Sequence, residues 1–141
     1  MRKANYDKFP STKLTGMLVQ GWDSIISMLK KKMDARKVLA VDLYTGVYEE
    51  EVLDAFSKEF SGRVMNVRDL MKPEKEIQTL TERFMTEDVL FGYVTNLKLE
   101  DYLDADKVAA ARKQISEAKD AIVIIGTGAS VVAPQDAMVV Y

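Results

Sequence analysis

The stretch Val38–Phe56, VLAVDLYTGVYEEEVLDAF, decides how this chain is read. Four apolar residues run without interruption into Asp42, the pattern of a strand covered on both faces of a parallel sheet. A short turn with one glycine, Gly46, follows. Glu49, Glu50 and Glu51 then open a helix whose Val52, Leu53, Phe56 and Phe60 recur at helical spacing and would face the sheet. Acidic residues in a first turn suit the positive end of the helix dipole. Strand, tight turn and helix in that order form the start of an α/β unit.

The same alternation extends outward. GWDSIISMLKKKMD, Gly21 to Asp34, places Trp22, Ile25, Ile26, Leu29 and Met33 on one helical face, with Lys30, Lys31 and Lys32 at the C-terminal end. A second strand is expected from about Arg63 to Val67, and a helix over PEKEIQTLTERFM, with Pro73 in its first turn and Ile77, Leu80, Phe84 and Met85 as its apolar stripe. EDVLFGYVTNL reads equally as strand or loop. LEDYLDADKVAAARKQISEAK is helical, with Asp104 or Asp106 as the cap of its main segment. DAIVIIG is the clearest strand, TGAS a turn, Pro134 a break, and AMVVY a last strand. The eight methionines and most aromatics stand at core spacing. The pattern predicts one three-layer α/β/α domain over residues 1–141 with a mainly parallel sheet, preceded by an irregular segment, 1–15. Because the chain stops directly after an apolar strand, it is expected to be a piece of a longer protein.

Composition narrows the chemistry. The 141 residues contain no cysteine and no histidine, so no disulfide framework, no usual zinc site and no histidine-assisted nucleophile can be built from them. The apolar runs are too short to span a bilayer and the N-terminus lacks the apolar core of a secretory signal, so no membrane association and a cytoplasmic location are expected. Net charge is −2 but uneven: residues 1–40 carry nine Lys and Arg against three Asp, the rest eleven against nineteen acids. Without a recognisable module or interleaved aromatics, the basic third reads as a solvated helix end, and no nucleic-acid partner is expected.

Two turns follow strands and could serve a ligand, since open α/β sheets bind at the carboxyl ends of their strands. The first is Asp42 to Glu50, with Asp42, Thr45 and Gly46 as candidate contacts. A phosphate loop needs glycines that turn successive N–H groups inward, a lysine, and a hydroxyl for magnesium. Small-molecule kinases of the uridine-kinase type carry Asp-Gly-x-x-Gly-x-Gly-Lys-Ser here. Asp42 and Gly46 fit; Leu43 and Tyr48 replace glycines, Glu49 the lysine and Glu50 the hydroxyl residue. A carboxylate about 4 Å from a phosphate oxygen costs roughly 4 kcal/mol at an effective dielectric near 20. The scaffold of a P-loop-like topology is therefore expected without its catalysis, and no catalytic residue is assigned. The second turn is IIGTGAS, where Gly126, Thr127, Gly128 and Ser130 are candidates for a sugar-phosphate pocket, the plainer alternative being a tight turn leaving a strand. Asp69 and the cluster Asp101, Asp104 and Asp106 read as turn and cap residues rather than as metal ligands.

KVLAVDLYTGVYEEEVLDAF together with DAIVIIGTGASVVAPQDAMVVY resembles the N-terminal region of long, two-part class I mannose-6-phosphate isomerases from gut-type Bacteroidetes, over nearly the whole chain. In that family a degenerate uridine-kinase-like domain precedes a zinc-dependent cupin isomerase. The resemblance implies a non-catalytic accessory domain in carbohydrate metabolism, with the cupin as its partner and zinc confined to that missing part. The family's His and Glu zinc ligands have no counterpart here, so none of its catalytic residues carries over. Two readings remain beside it: a small sugar-phosphate-binding module around Thr127 and Ser130, and a nucleotide- or sugar-kinase-like protein with unusual loop chemistry. Self-association is left open.

Overall fold

Two uninterrupted apolar strands form the centre of the sheet. β1 (Val38–Asp42) and β3 (Ile122–Gly126) lie side by side in parallel, with Leu39 opposite Val123 and Asp42 opposite Gly126. Successive side chains of a strand alternate between faces. Leu39, Val41, Val123 and Ile125 accordingly pack into one apolar layer, and Val38, Ala40, Ile122 and Ile124 into the other. β2 (Arg63–Asn66) flanks β3, and β4 (Met138–Val140) flanks β1, giving the order β2-β3-β1-β4 with every pairing parallel. The structure, a computed structural model, describes residues 9–13, 15–33, 37–88 and 90–141.

Helices cover both faces. α1 (Trp22–Met33) and α2 (Glu49–Glu59) bury Ile26, Leu29, Met33, Val52 and Phe56 against one side. α4 (Ala105–Glu117) and the one-turn α5 (Ala129–Val132) bury Val108, Ala111, Ile115, Ala129 and Val132 against the other. This is the expected three-layer α/β fold. Local chemistry sets the helix ends. Asp104 caps α4 by accepting from the N–H groups of Asp106 and Lys107 at 3.0 and 3.1 Å, and Asn66 accepts from Arg68 N at 2.8 Å to start the 3-10 turn Val67–Leu70. Asp101 closes the turn Leu99–Tyr102 by accepting from Lys98 N.

EDVLFGYVTNL, open between strand and loop, forms no strand among its described residues. Three expectations change. TGAS is not a plain turn, because residues 129–132 complete one turn of helix. α3 (Glu74–Glu82) buries none of its residues, and Met85, expected on its core-facing stripe, is 70% exposed. The aromatics are not mainly core, since Tyr44, Tyr48, Phe91, Tyr93 and Tyr141 are exposed; of the methionines Met17 and Met85 are exposed, while Met33 is buried and Met28, Met65, Met71 and Met138 pack against the core. Most of the expected irregular segment 1–15, together with Asp34, lies outside the described residues.

Candidate functional site at the carboxyl edge of β1 and β3

The two central strands send their connections to opposite faces of the sheet. From β1 the chain enters α2 on one face, and from β3 it enters α5 on the other. A crevice opens at the carboxyl ends of neighbouring strands that diverge in this way, and it is where ligands of open α/β sheets bind. The sequence places Asp42 at the end of one strand and Gly-Thr-Gly-Ala-Ser at the end of the other.

The edge is tied together by hydrogen bonds within the chain. The Asp42 carboxylate accepts from Gly128 N at 2.9 Å through Oδ1, and from Ser130 N at 3.0 Å through Oδ2. Ser130 Oγ also donates to Oδ2. Thr127 Oγ1 donates to the Leu43 carbonyl at 3.0 Å, and Leu43 N donates to the Gly126 carbonyl at 3.3 Å. An anionic side chain thus takes the donors that a Gly-Thr-Gly-x-Ser turn could otherwise offer to a ligand's phosphate oxygens. Charge-assisted bonds of this kind are about twice as strong as neutral ones.

The turn can approach so closely because of two glycines. A Cβ on Gly126 would lie 2.9 Å from Val67 Cβ, and its φ of +134° is one that side-chain-bearing residues rarely adopt. Gly128, at φ +85°, reverses the chain into α5 and leaves its N–H facing Asp42.

The structure brings Asp42, Gly126, Thr127, Gly128 and Ser130 together. Thr45 and Gly46 lie on the exposed outer turn, which a Val47 N to Tyr44 O hydrogen bond of 3.2 Å closes; Thr45 reaches the crevice beside Asp42, and Gly46 does not. An open crevice of about 610 Å³ lies above the edge, walled by Asp42, Tyr44, Thr45, Leu99, Thr127 and Tyr141. Beside it a smaller cavity of about 300 Å³ is lined by Glu49, Arg68, Met71, Tyr102 and Thr127.

Glu49 stands in that second cavity, at the start of α2. One carboxylate oxygen accepts from Arg68 Nη2 at 3.3 Å, while the other is buried without a hydrogen-bond donor. The crevice edge therefore carries two carboxylates, Asp42 and Glu49, against the single guanidinium of Arg68. Sequence reading did not find Arg68, Leu99 or Tyr141 as parts of this edge. Arg68 lies nineteen residues from its partner and within no motif, so nothing local signals the pair. Among the described residues no group of three or more acidic side chains is arranged to hold a metal ion, and no helix is long and apolar enough to cross a membrane.

A family model described as a domain of unknown function (DUF8485) matches residues 21–141. No curated protein and no solved structure matches the chain.

Proposed function

We propose that this chain, which belongs to the DUF8485 family, is a non-catalytic α/β domain with a closed phosphate turn. Following the resemblance carried by its two βα turns, we assign it as the accessory N-terminal domain of a mannose-6-phosphate isomerase. The observation that carries the non-catalytic reading is the Asp42 carboxylate seated on Gly128 N, Ser130 N and Ser130 Oγ. A phosphate at this turn would have to displace a covalently tethered anion that is always present. Glu49 supports the same reading, since it puts negative charge where transferred phosphate needs positive charge.

A P-loop-like topology belongs to this proposal. The turn after β1 runs directly into α2, and β3 stands beside β1 with its own turn facing the same crevice. Such a frame without lysine or hydroxyl is what remains when a kinase-like domain keeps its fold and takes another job. Zinc and the isomerisation chemistry would then reside in a separate cupin part, since this chain offers no histidine.

The test is thermal melting and calorimetric titration with ATP and magnesium, and separately with mannose 6-phosphate. A ligand present at a hundred times its dissociation constant stabilises by about 2.7 kcal/mol, which a melt resolves easily. Neither ligand is expected to move the midpoint. A clear shift with ATP and magnesium would revive the kinase-like reading. A shift with mannose 6-phosphate that Ser130→Ala removes would favour a sugar-phosphate-binding module. The isomerase assignment is checked by the coding sequence adjoining the chain, which should encode closely spaced His and Glu ligands.

A further inference from the structure

A cavity of about 650 Å³ opens at the opposite edge of the sheet, where β1 and β3 begin with Val38 and Ile122. It lies on the α4 face, between the second half of α4 and the connection from α5 to β4. Small-molecule sites span roughly 300–1,000 Å³ and are mostly apolar, with a few placed polar groups. The floor of this one is core. Val38, Ile115, Ile122 and Val132 belong to the apolar layer under α4 and α5, and each is at most 8% exposed.

Hydrogen bonds fix the walls. Ile122 N donates to Lys37 O at 2.7 Å, which holds Lys37 beside the start of β3. Ala137 N donates to Pro134 O at 3.0 Å and closes the turn that carries Asp136. Arg112 donates from Nη2 to Val131 O at 2.8 Å and from Nε to Val132 O at 3.4 Å. Those two bonds hold the guanidinium against the end of α5 and leave other N–H groups of its fork unused.

The rim carries Lys37, Arg112, Asp120 and Asp136. None of the four forms an ion pair among the described residues. A ligand that is only an anion would meet two carboxylates here, and one that is only a cation would meet two bases. A zwitterion answers both signs, and complementarity of this kind sets specificity. An apolar body on the same ligand would cover the floor. We propose that this cavity binds a free amino acid with an apolar side chain. Its carboxylate is held by the Arg112 fork and Lys37, its ammonium by Asp120 and Asp136, and its side chain lies on Ile115, Ile122 and Val132. The cavity is at the edge away from Asp42, so the inference is independent of what the β1–β3 crevice binds.

The test is calorimetric titration of the chain with L-phenylalanine and with L-leucine, followed by amide NMR shifts. Saturable binding is expected, with shifts centred on residues 112–122 and 132–137. Lys37→Ala and Asp136→Asn should each weaken it about tenfold or more, the effect of losing a hydrogen bond to a charged group. Both variants should melt as the parent does, because both side chains are exposed and unpaired among the described residues. 3-Phenylpropanoate lacks the ammonium and 2-phenylethylamine lacks the carboxylate, and each should bind at least about tenfold more weakly than L-phenylalanine. No saturation with either amino acid at millimolar concentration would overturn the proposal. So would 3-phenylpropanoate or 2-phenylethylamine binding as tightly as L-phenylalanine, either variant binding as tightly as the parent, or shifts centred on residues 127–130.

Discussion

Replacing Asp42 by alanine removes an acceptor shared by Gly128 N, Ser130 N and Ser130 Oγ. The two backbone donors are partly buried and lie where β1 and β3 meet α5. The Ser130 hydroxyl can rotate to another acceptor, but the backbone N–H groups cannot. Leaving a buried donor unpaired costs about 1–3 kcal/mol. Two such donors, discounted for partial exposure, put Asp42→Ala at about 3 kcal/mol. For a chain of this size about 1 kcal/mol moves the midpoint by 2–4 °C, so the melt should fall by roughly 6–12 °C.

Asp42→Asn sharpens the reasoning. Its amide oxygen still accepts one N–H, while its NH₂ group faces the other donor and can only turn to Ser130 Oγ. One unpaired donor remains, about 1–2 kcal/mol. Ser130→Ala removes a single donor to a charged acceptor and leaves both backbone bonds, so about 1 kcal/mol is expected. The predicted order is Asp42→Ala, then Asp42→Asn, then Ser130→Ala, read by urea unfolding and by calorimetric melts. A loss below about 1 kcal/mol in Asp42→Ala, or an asparagine variant weaker than the alanine one, would refute the clamp as the element that closes this turn.

Gly126→Ala forces a Cβ against Val67 Cβ at 2.9 Å and a φ of +134° onto a side-chain-bearing residue. A loss of about 2–4 kcal/mol in urea unfolding is expected from strain and overpacking combined, and a melt within a degree of the parent would show that the strand end relaxes freely. Phe56→Ala empties a site only 1% exposed between α2 and the sheet, where Phe56 lies 6.3 Å from the ring of Phe60. It should cost about 3–5 kcal/mol on the same assay. Asp104→Ala leaves the first N–H groups of α4 without their acceptor and should cost about 1 kcal/mol, with a matching loss of amide protection confined to the first turn of α4.

The central frame was legible because its signal is local. VLAV and IVII can satisfy two covered faces only as interior strands, and both are fully or almost fully buried. The α4 cap was legible for the same reason, since Asp104 acts on residues two and three positions ahead. α3 shows where such signals end. Its stripe of Ile77, Leu80 and Phe84 states which face is apolar, but periodicity does not state whether anything covers that face. Here the stripe is partly covered, and none of its residues becomes fully buried. The one-turn α5 is too short to display any helical period, so its four residues read as a turn.

The candidate edge divides along the same line. Gly126, Thr127, Gly128 and Ser130 were found from their position after a strand, and Asp42 from its place at the end of β1. What they do to one another was not in the pattern, because Asp42 meets Gly128 and Ser130 across 86 and 88 residues. Treated separately, each half is a turn after a strand with no partner in view. Joined, the acid of one satisfies the donors of the other. The N–H groups of the glycine-rich turn therefore meet an internal carboxylate. That exchange makes the strand edge a fixed internal joint.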